Sequence, residues 1–245
     1  MKKVIQFLIT QTLLLFLIVP NVNSQSYDLK KFPKGSQPRE IGIKLTERYL
    51  QTPHSHWGNI DGKNKTPFIT YPDVCAWLGA LWFTKAIKDD DLYQQLVDRF
   101  EPLFTTEKHL LPEMRPKAHN VVDWYVFGAV PLEIYKRNKD PKYLDLGLKY
   151  ADGRWILPEN PNITEKEWHD KGYSWQTRLW IDDMFMITAV QAQAYLVTEN
   201  QEYMDRAIEE MVLYLDEIQR ENGLFYHAPN APFFWGRGNG WMAVG

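Results

Sequence analysis

The sequence predicts an all-α fold, a closed ring of helical hairpins, on three observations. Apolar residues recur at helical spacing along most of the chain, and no stretch alternates apolar and polar residues well enough for a strand. The helices come in pairs, and a shift of 60 residues lays one pair on the next. The links at 105–119 and 157–178 are long and irregular. Repeated hairpins cannot bury their faces singly, so they stack as an open array or close as a toroid. Open arrays use short, uniform loops; long loops gathered at one end of a ring suit a pocket.

The first element is not part of that ring. Met1, Lys2 and Lys3 precede an apolar stretch at 4–19, then Pro20 and a short polar exit through Asn23, Ser24 and Gln25. Basic start, apolar middle and small polar exit make a signal peptide over 1–24, cleaved near Ser24, and the apolar part is short for a membrane span. The chain is therefore expected to be secreted or periplasmic, with no membrane attachment after cleavage. Residues 25–36 are polar and turn-rich, a linker into the fold. A single domain then occupies 37–245.

Helices follow in order. Pro38 sits where a first turn tolerates proline and opens 38–50. Pro72 and Asp73 open a strongly apolar helix over 74–87. Further segments cover 91–104, 120–136, 141–156, 179–197 and 201–220. The 60-residue shift aligns Tyr135 with Tyr195, Tyr143 with Tyr203, Asp145 with Asp205, Asp123 with Asp183 and Ala129 with Ala189. The polar links 138–140 and 198–200 fall on each other, and a weaker third copy carries its link at 88–90 and its tyrosine at Tyr93.

Composition excludes several functions. A formal charge of −3 without long runs of one sign lacks the basic footprint of a nucleic-acid binder. Cys75 is the one cysteine, so no internal disulfide forms, and its apolar neighbours Trp77 and Leu78 suit a buried small hydrophobe. His54 and His56 stand in a turn-like stretch without a matching ligand cluster, so neither metal nor cofactor is expected.

Three stretches are able to carry chemistry. Asn120 to Trp124 places Asp123 at a helix start. In Trp175 to Met186, Asp182 and Asp183 open a helix among aromatics, including Trp180, with Met186 one turn on. One carboxylate is expected to serve the helix start, where free amides and the dipole favour negative charge. The other, against an aromatic wall, suits a group that both gives and takes a proton. The third stretch holds Gly223-Leu224-Phe225-Tyr226-His227 and Trp235-Gly236-Arg237-Gly238-Asn239-Gly240-Trp241. Its glycines make a poor helix and a worse strand but permit close approach. Arg binds a carboxylate through two parallel hydrogen bonds, and Trp faces cover sugar rings. An acidic sugar fits both.

The motifs Trp-Ile-Asp-Asp-Met-Phe-Met at 180–186, Gly-Leu-Phe-Tyr-His at 223–227 and Trp-Gly-Arg-Gly-Asn-Gly-Trp at 235–241 resemble glycoside hydrolase families 88 and 105. These are the unsaturated glucuronyl and unsaturated rhamnogalacturonyl hydrolases, and the resemblance runs from about residue 40 to the last residue. It implies an (α/α)6 toroid of six hairpins, incomplete here, with about seven of twelve helices present. It also implies that the enzyme removes the 4,5-unsaturated uronic acid that a polysaccharide lyase leaves at a non-reducing end. Hydration of the vinyl ether double bond replaces direct displacement at the anomeric carbon. Asp182 matches the residue that gives a proton to C4 and activates water for C5, after which the hemiketal collapses and releases the sugar. Asp123 matches a second aspartate that holds substrate or water. Trp180, Met186, His227, Trp235, Arg237 and Trp241 match substrate-binding positions, with Arg237 a partner for the uronate. The seven residues between His227 and Trp235 are fewer than many relatives carry.

Two other readings compete: a conventional inverting glycosidase using Asp123 and Asp182, and a non-catalytic carbohydrate-binding helical module. An unfinished ring leaves the apolar faces of its end hairpins wet. At about 25 cal/mol per Å² that loss rivals the whole stability of a domain. These 245 residues expressed alone are therefore expected to be insoluble or inactive; a soluble product that melts cooperatively and turns over substrate would overturn this.

Overall fold

The structure, a computed structural model, describes residues 32–54, 68–113 and 122–245. The expected signal peptide and most of the expected linker lie outside them, as do His56 and Asn120. The chain divides into two units, residues 1–40 and residues 41–245. In the first, the Ser36 hydroxyl donates to the Pro33 carbonyl at 2.8 Å in a turn.

The elements are α1 (Pro38–Gln51), α2 (Tyr71–Ile87), α3 (Asp90–Asp98), α4 (Val122–Tyr125), α5 (Ala129–Asn138), α6 (Pro141–Gly153), α7 (Ile163–Asp170), α8 (Asp183–Thr198), α9 (Gln201–Ile218), β1 (Tyr226–Ala228), β2 (Ala231–Phe234) and α10 (Gly236–Val244). The fold is all-α, with α2–α3, α5–α6 and α8–α9 as stacked hairpins of the toroid type. Helix α5 packs against α2 on one side and α8 on the other. Those three form the inner row, and α8 buries ten of its sixteen residues. Helices α3, α6 and α9 form the outer row, each with one apolar face.

The sequence repeat has a local physical cause. Each hairpin turns at a residue in the left-handed region: Lys88 (φ 56°), Lys139 (φ 58°) and Glu199 (φ 57°). The next residue, Asp89, Asp140 or Asn200, caps the following helix by accepting the amide of Leu92, Lys142 or Glu202. Three or four residues further on, Tyr93, Tyr143 and Tyr203 are buried, so each outer helix is pinned to its stack at the same height.

One buried cation ties α4 to the inner row. Arg154, fully buried at the end of α6, donates through Nη2 to the carbonyls of Val122 (3.2 Å) and Met186 (2.6 Å), bracing α4 against α8. Burial lowers its pKa to about 10.

The structure corrects several expectations. The segment expected over 91–104 stops at Asp98 and resumes as a 3₁₀ turn, Glu101–Phe104, because Pro102 supplies no amide to continue the ladder. The one over 120–136 is broken by a 3₁₀ turn, Val126–Gly128, where Pro131 leaves the Phe127 carbonyl without its helical donor. The one over 179–197 starts at Asp183. The link 157–178 contains α7, opened by a capping box between Asn162 and Glu165. A hairpin, β1 and β2, stands where no strand was expected; its strands are too short to show alternation, and Pro232 is tolerated on an edge. The glycine-rich stretch 236–241 is helical, as α10.

Gly128 lies where α5 meets α6 and α8. A Cβ there would stand 2.6 Å from Tyr150 Cβ, 2.9 Å from Val190 Cγ2 and 3.0 Å from the Gly147 carbonyl. Gly128→Ala should therefore force the rows apart and lower unfolding free energy by about 1–3 kcal/mol in a urea titration.

Candidate active site

Helix starts converge on one pocket. Tyr71 comes from the first turn of α2, Asp123 from α4, Asp182 from the residue preceding α8, and Arg237 from α10, while β1 supplies His227. With Arg178, Trp180, Met186 and Trp235 they enclose about 140 Å³, room for a few water volumes or one sugar ring. Helix N-termini carry partial positive charge, which favours an anionic occupant.

Asp182 and Asp183 point to different places. Asp183 is fully buried. Arg178 reaches it with Nε at 3.1 Å from both oxygens and Nη2 at 2.8 Å, and the Tyr214 hydroxyl donates to it at 3.0 Å. Burial pushes its carboxyl above the usual range, against the opposing pull of Arg178. Its negative charge is spent on the Arg178 ion pair; the other carboxylate is the one that faces the pocket.

Asp182 makes no capping bond to α8. Its Oδ1 lies 3.5 Å from Arg237 Nε and its Oδ2 3.5 Å from His227 Nδ1, with the side chain 13% exposed. Among the described residues neither Oδ2 nor His227 Nδ1 has a hydrogen-bond partner, although both atoms are buried. A carboxylate held among bases but not consumed by them is available to a substrate.

Asp123 shares Arg178 with Asp183: Nη2 donates to its Oδ1 at 3.0 Å. Burial raises its carboxyl above the usual range, Arg178 opposes this, and the nearby charge of Asp182 adds to it. Arg178 itself is held above its ordinary value, because Asp183 and Asp123 outweigh the desolvation that works against its charge. The guanidinium also lies over the Trp180 ring at 4.5 Å.

Aromatics confine His227. Its ring centroid lies 5.2 Å from Trp180, 4.9 Å from Trp235 and 5.4 Å from Phe233. Its carbonyl accepts the Ile181 amide at 3.0 Å, which fixes β1 beside Asp182. Arg237 stacks over Trp235 at 4.0 Å and is half-exposed, with a face open to an anion. Asn239 holds α10 to the chain before β1, accepting from the Phe225 amide at 2.9 Å and donating to its carbonyl at 3.0 Å.

Of the expected site residues, Asp123, Asp182, Trp180, Met186, His227, Trp235 and Arg237 line the pocket. Trp241 does not. It packs on Phe185 (4.8 Å) and edge-on to Tyr71 (6.4 Å), backing the wall. Tyr71 was not singled out from the sequence, though it precedes the Pro72 that marks the helix start. Its phenol is pushed up by burial, with Arg237 opposing and Asp123 and Asp182 adding. Cys75 is half-buried, and burial pushes its thiol up to about 12. Among the described residues no three of His, Cys, Asp and Glu stand together as a metal-binding group.

The family model of Glycosyl Hydrolase Family 88 matches residues 44–245, most of the chain. No curated protein and no solved structure gives a significant match.

Two outcomes follow. A Cβ on Gly238 would meet Ile181 Cγ2 at 2.2 Å and Asp182 Oδ2 at 3.4 Å. Gly238→Ala should thus displace Asp182 and lower kcat by about 10–100-fold, read in steady-state kinetics. Behind the pocket, burial raises Glu210 from 4.5 to about 7, against the Ser174 amide that favours its charge. The folded chain holds that proton more tightly than the unfolded one, so the stabilisation is full below pH 4.5 and is lost as pH rises towards 7. Glu210→Gln should therefore gain on the parent between pH 5 and pH 8 in paired thermal melts.

Proposed function

Because the chain belongs to glycoside hydrolase family 88, we propose that it removes a 4,5-unsaturated uronic acid from the non-reducing end of lyase-generated oligosaccharides. The observation that carries this reading is the state of Asp182: mostly buried, uncapped, with one oxygen unpartnered among the described residues, and flanked at 3.5 Å by Arg237 and His227 in an aromatic-walled cup. A saturated glycoside would need its leaving oxygen protonated on one side and water activated on the other. A vinyl ether needs less, because a single carboxyl group can serve both halves of a hydration.

The Asp182 carboxyl gives its proton to C4, and positive charge develops at C5 and the ring oxygen. Water adds at C5 while the Asp182 carboxylate takes back a proton. The hemiketal so formed opens at its ring C5–O bond to a ketone. C1 is then a hemiacetal, and it releases the remaining sugar. Asp123, held by Arg178, orients substrate or water; Trp180 and Trp235 cover the ring; and the open face of Arg237 takes the uronate. Export to the periplasm or the outside would place the enzyme where lyase products arise.

Loss of the ultraviolet band of the unsaturated sugar on turnover is the test. Asp182→Asn should lower kcat by about 10³-fold or more, whereas Asp123→Asn should leave measurable turnover. Arg237→Ala should raise KM about tenfold or more. Cleavage of saturated substrates alone, or equal loss in both aspartate variants, would overturn hydration in favour of a conventional inverting mechanism.

A further inference from the structure

We propose that Glu210, on α9 and outside the pocket, is a positioning residue for the reaction: it anchors segment 174–178 and thereby sets Arg178 against Asp123. The inference rests on the reading of the pocket given above.

Segment 174–178 has no regular secondary structure, yet it carries the guanidinium that holds Asp123. Glu210 is fully buried beneath it. Its Oε1 accepts the Ser174 amide at 2.6 Å and the Thr177 hydroxyl at 2.9 Å, and its Oε2 lies 3.2 Å from the same hydroxyl. The Ser174 hydroxyl in turn accepts the Gln176 amide at 3.2 Å. One turn along α9, the Tyr214 hydroxyl accepts the Leu179 amide at 3.2 Å and donates to Asp183 at 3.0 Å. Arg178 is thus pinned on both sides, through Thr177 by Glu210 and through Leu179 by Tyr214.

Strain shows why pins are needed. Leu179 has φ 58°, a left-handed conformation that is strained for a residue with a side chain. Such a conformation persists only where its surroundings hold it. On either side of Leu179, Arg178 reaches Asp123 and Asp183 while Trp180 meets His227 and lies beneath the Arg178 guanidinium. Trp175 fixes the near end separately, its ring donating to the Gly153 carbonyl at 2.7 Å. Between that anchor and the strained residue, the Thr177 hydroxyl on Glu210 ties down the residue next to Arg178. A buried carboxylate is expensive, and Arg154 and Asp183 set its local field. Its two oxygens let one side chain hold an amide and a hydroxyl together.

A double-mutant cycle on the full-length protein tests this, with kcat and KM measured on an unsaturated lyase product and thermal melts as the check on folding. Glu210→Ala should lower kcat by about 10–100-fold with little change in KM, and Glu210→Gln, which keeps one acceptor oxygen, should recover most of that loss. In an Arg178→Ala background, removing Glu210 should lower kcat less than about twofold further, because its effect passes through Arg178. The same loss in both backgrounds, or no loss in a folded Glu210→Ala, overturns the proposal. Should Glu210→Ala not fold, Thr177→Val, which removes the hydroxyl tether and leaves Glu210 in place, carries the cycle: a loss of kcat that disappears without Arg178 supports the proposal, and no loss, or the same loss in both backgrounds, overturns it. A crystal structure of the Glu210 variant reads the placement without any assay: Arg178 moved off Asp123 supports the proposal, and Arg178 still in contact overturns it. A parent inactive on every unsaturated substrate would defeat the function proposed above while leaving that structural outcome to stand.

Discussion

Arg178 lies between two carboxyl groups, and the site is arranged around that fact. Asp183 is too deeply buried to keep its charge without a partner, and Asp123 is drawn into the same ion pair by the Nη2 that also bonds Asp183. An uncompensated charge at either place would be expelled or neutralised. The third carboxyl, Asp182, escapes the pairing because it sits one residue earlier, before α8 begins. One cation thus determines which aspartate is structural, which is oriented, and which is left for substrate. The buried Arg154 does a parallel task for the backbone, bracing the two helix starts against each other through carbonyls alone.

The hairpin stack was legible in the sequence because its links are chemically regular. A left-handed residue, a short polar cap and a buried tyrosine recur at Lys88, Lys139 and Glu199, so a shift of the chain on itself finds them. What escaped reading was set by contacts remote in the chain or by very short elements. The hairpin of β1 and β2 is a few residues long, and α10 is a helix made of poor helix formers. Asn239 tethers that helix to Phe225, and Gly238 lets it approach Ile181, where any side chain would collide. Helix α7 was readable in principle, since Asn162 and Glu165 stand at capping-box spacing.

The site was legible in part. The dipeptide Asp182-Asp183 marks a helix start among aromatics, but composition does not say which of the two turns inward. That depends on where the helix begins, and Leu179 in its left-handed conformation moves the start four residues later than periodicity suggests. The repeat pairs Asp123 with Asp183, yet in the pocket Asp123 shares space with Asp182. Tyr71 and Glu210 gave no signal of their own, because a tyrosine before a proline and a glutamate on an amphipathic helix are ordinary in sequence. Their meaning arises from what lies opposite.

The recurrence of one turn geometry has a further consequence. Each copy of the hairpin brings a fresh helix origin to the same rim, and the walls of the cup are borne on such origins, on the strands beside them and on the irregular segment ahead of α8. The stack and the chemistry are therefore separable. A change in the two or three residues ahead of an inner helix retunes what the enzyme grips, while the layers beneath, fixed by tyrosines and buried leucines, need not register it.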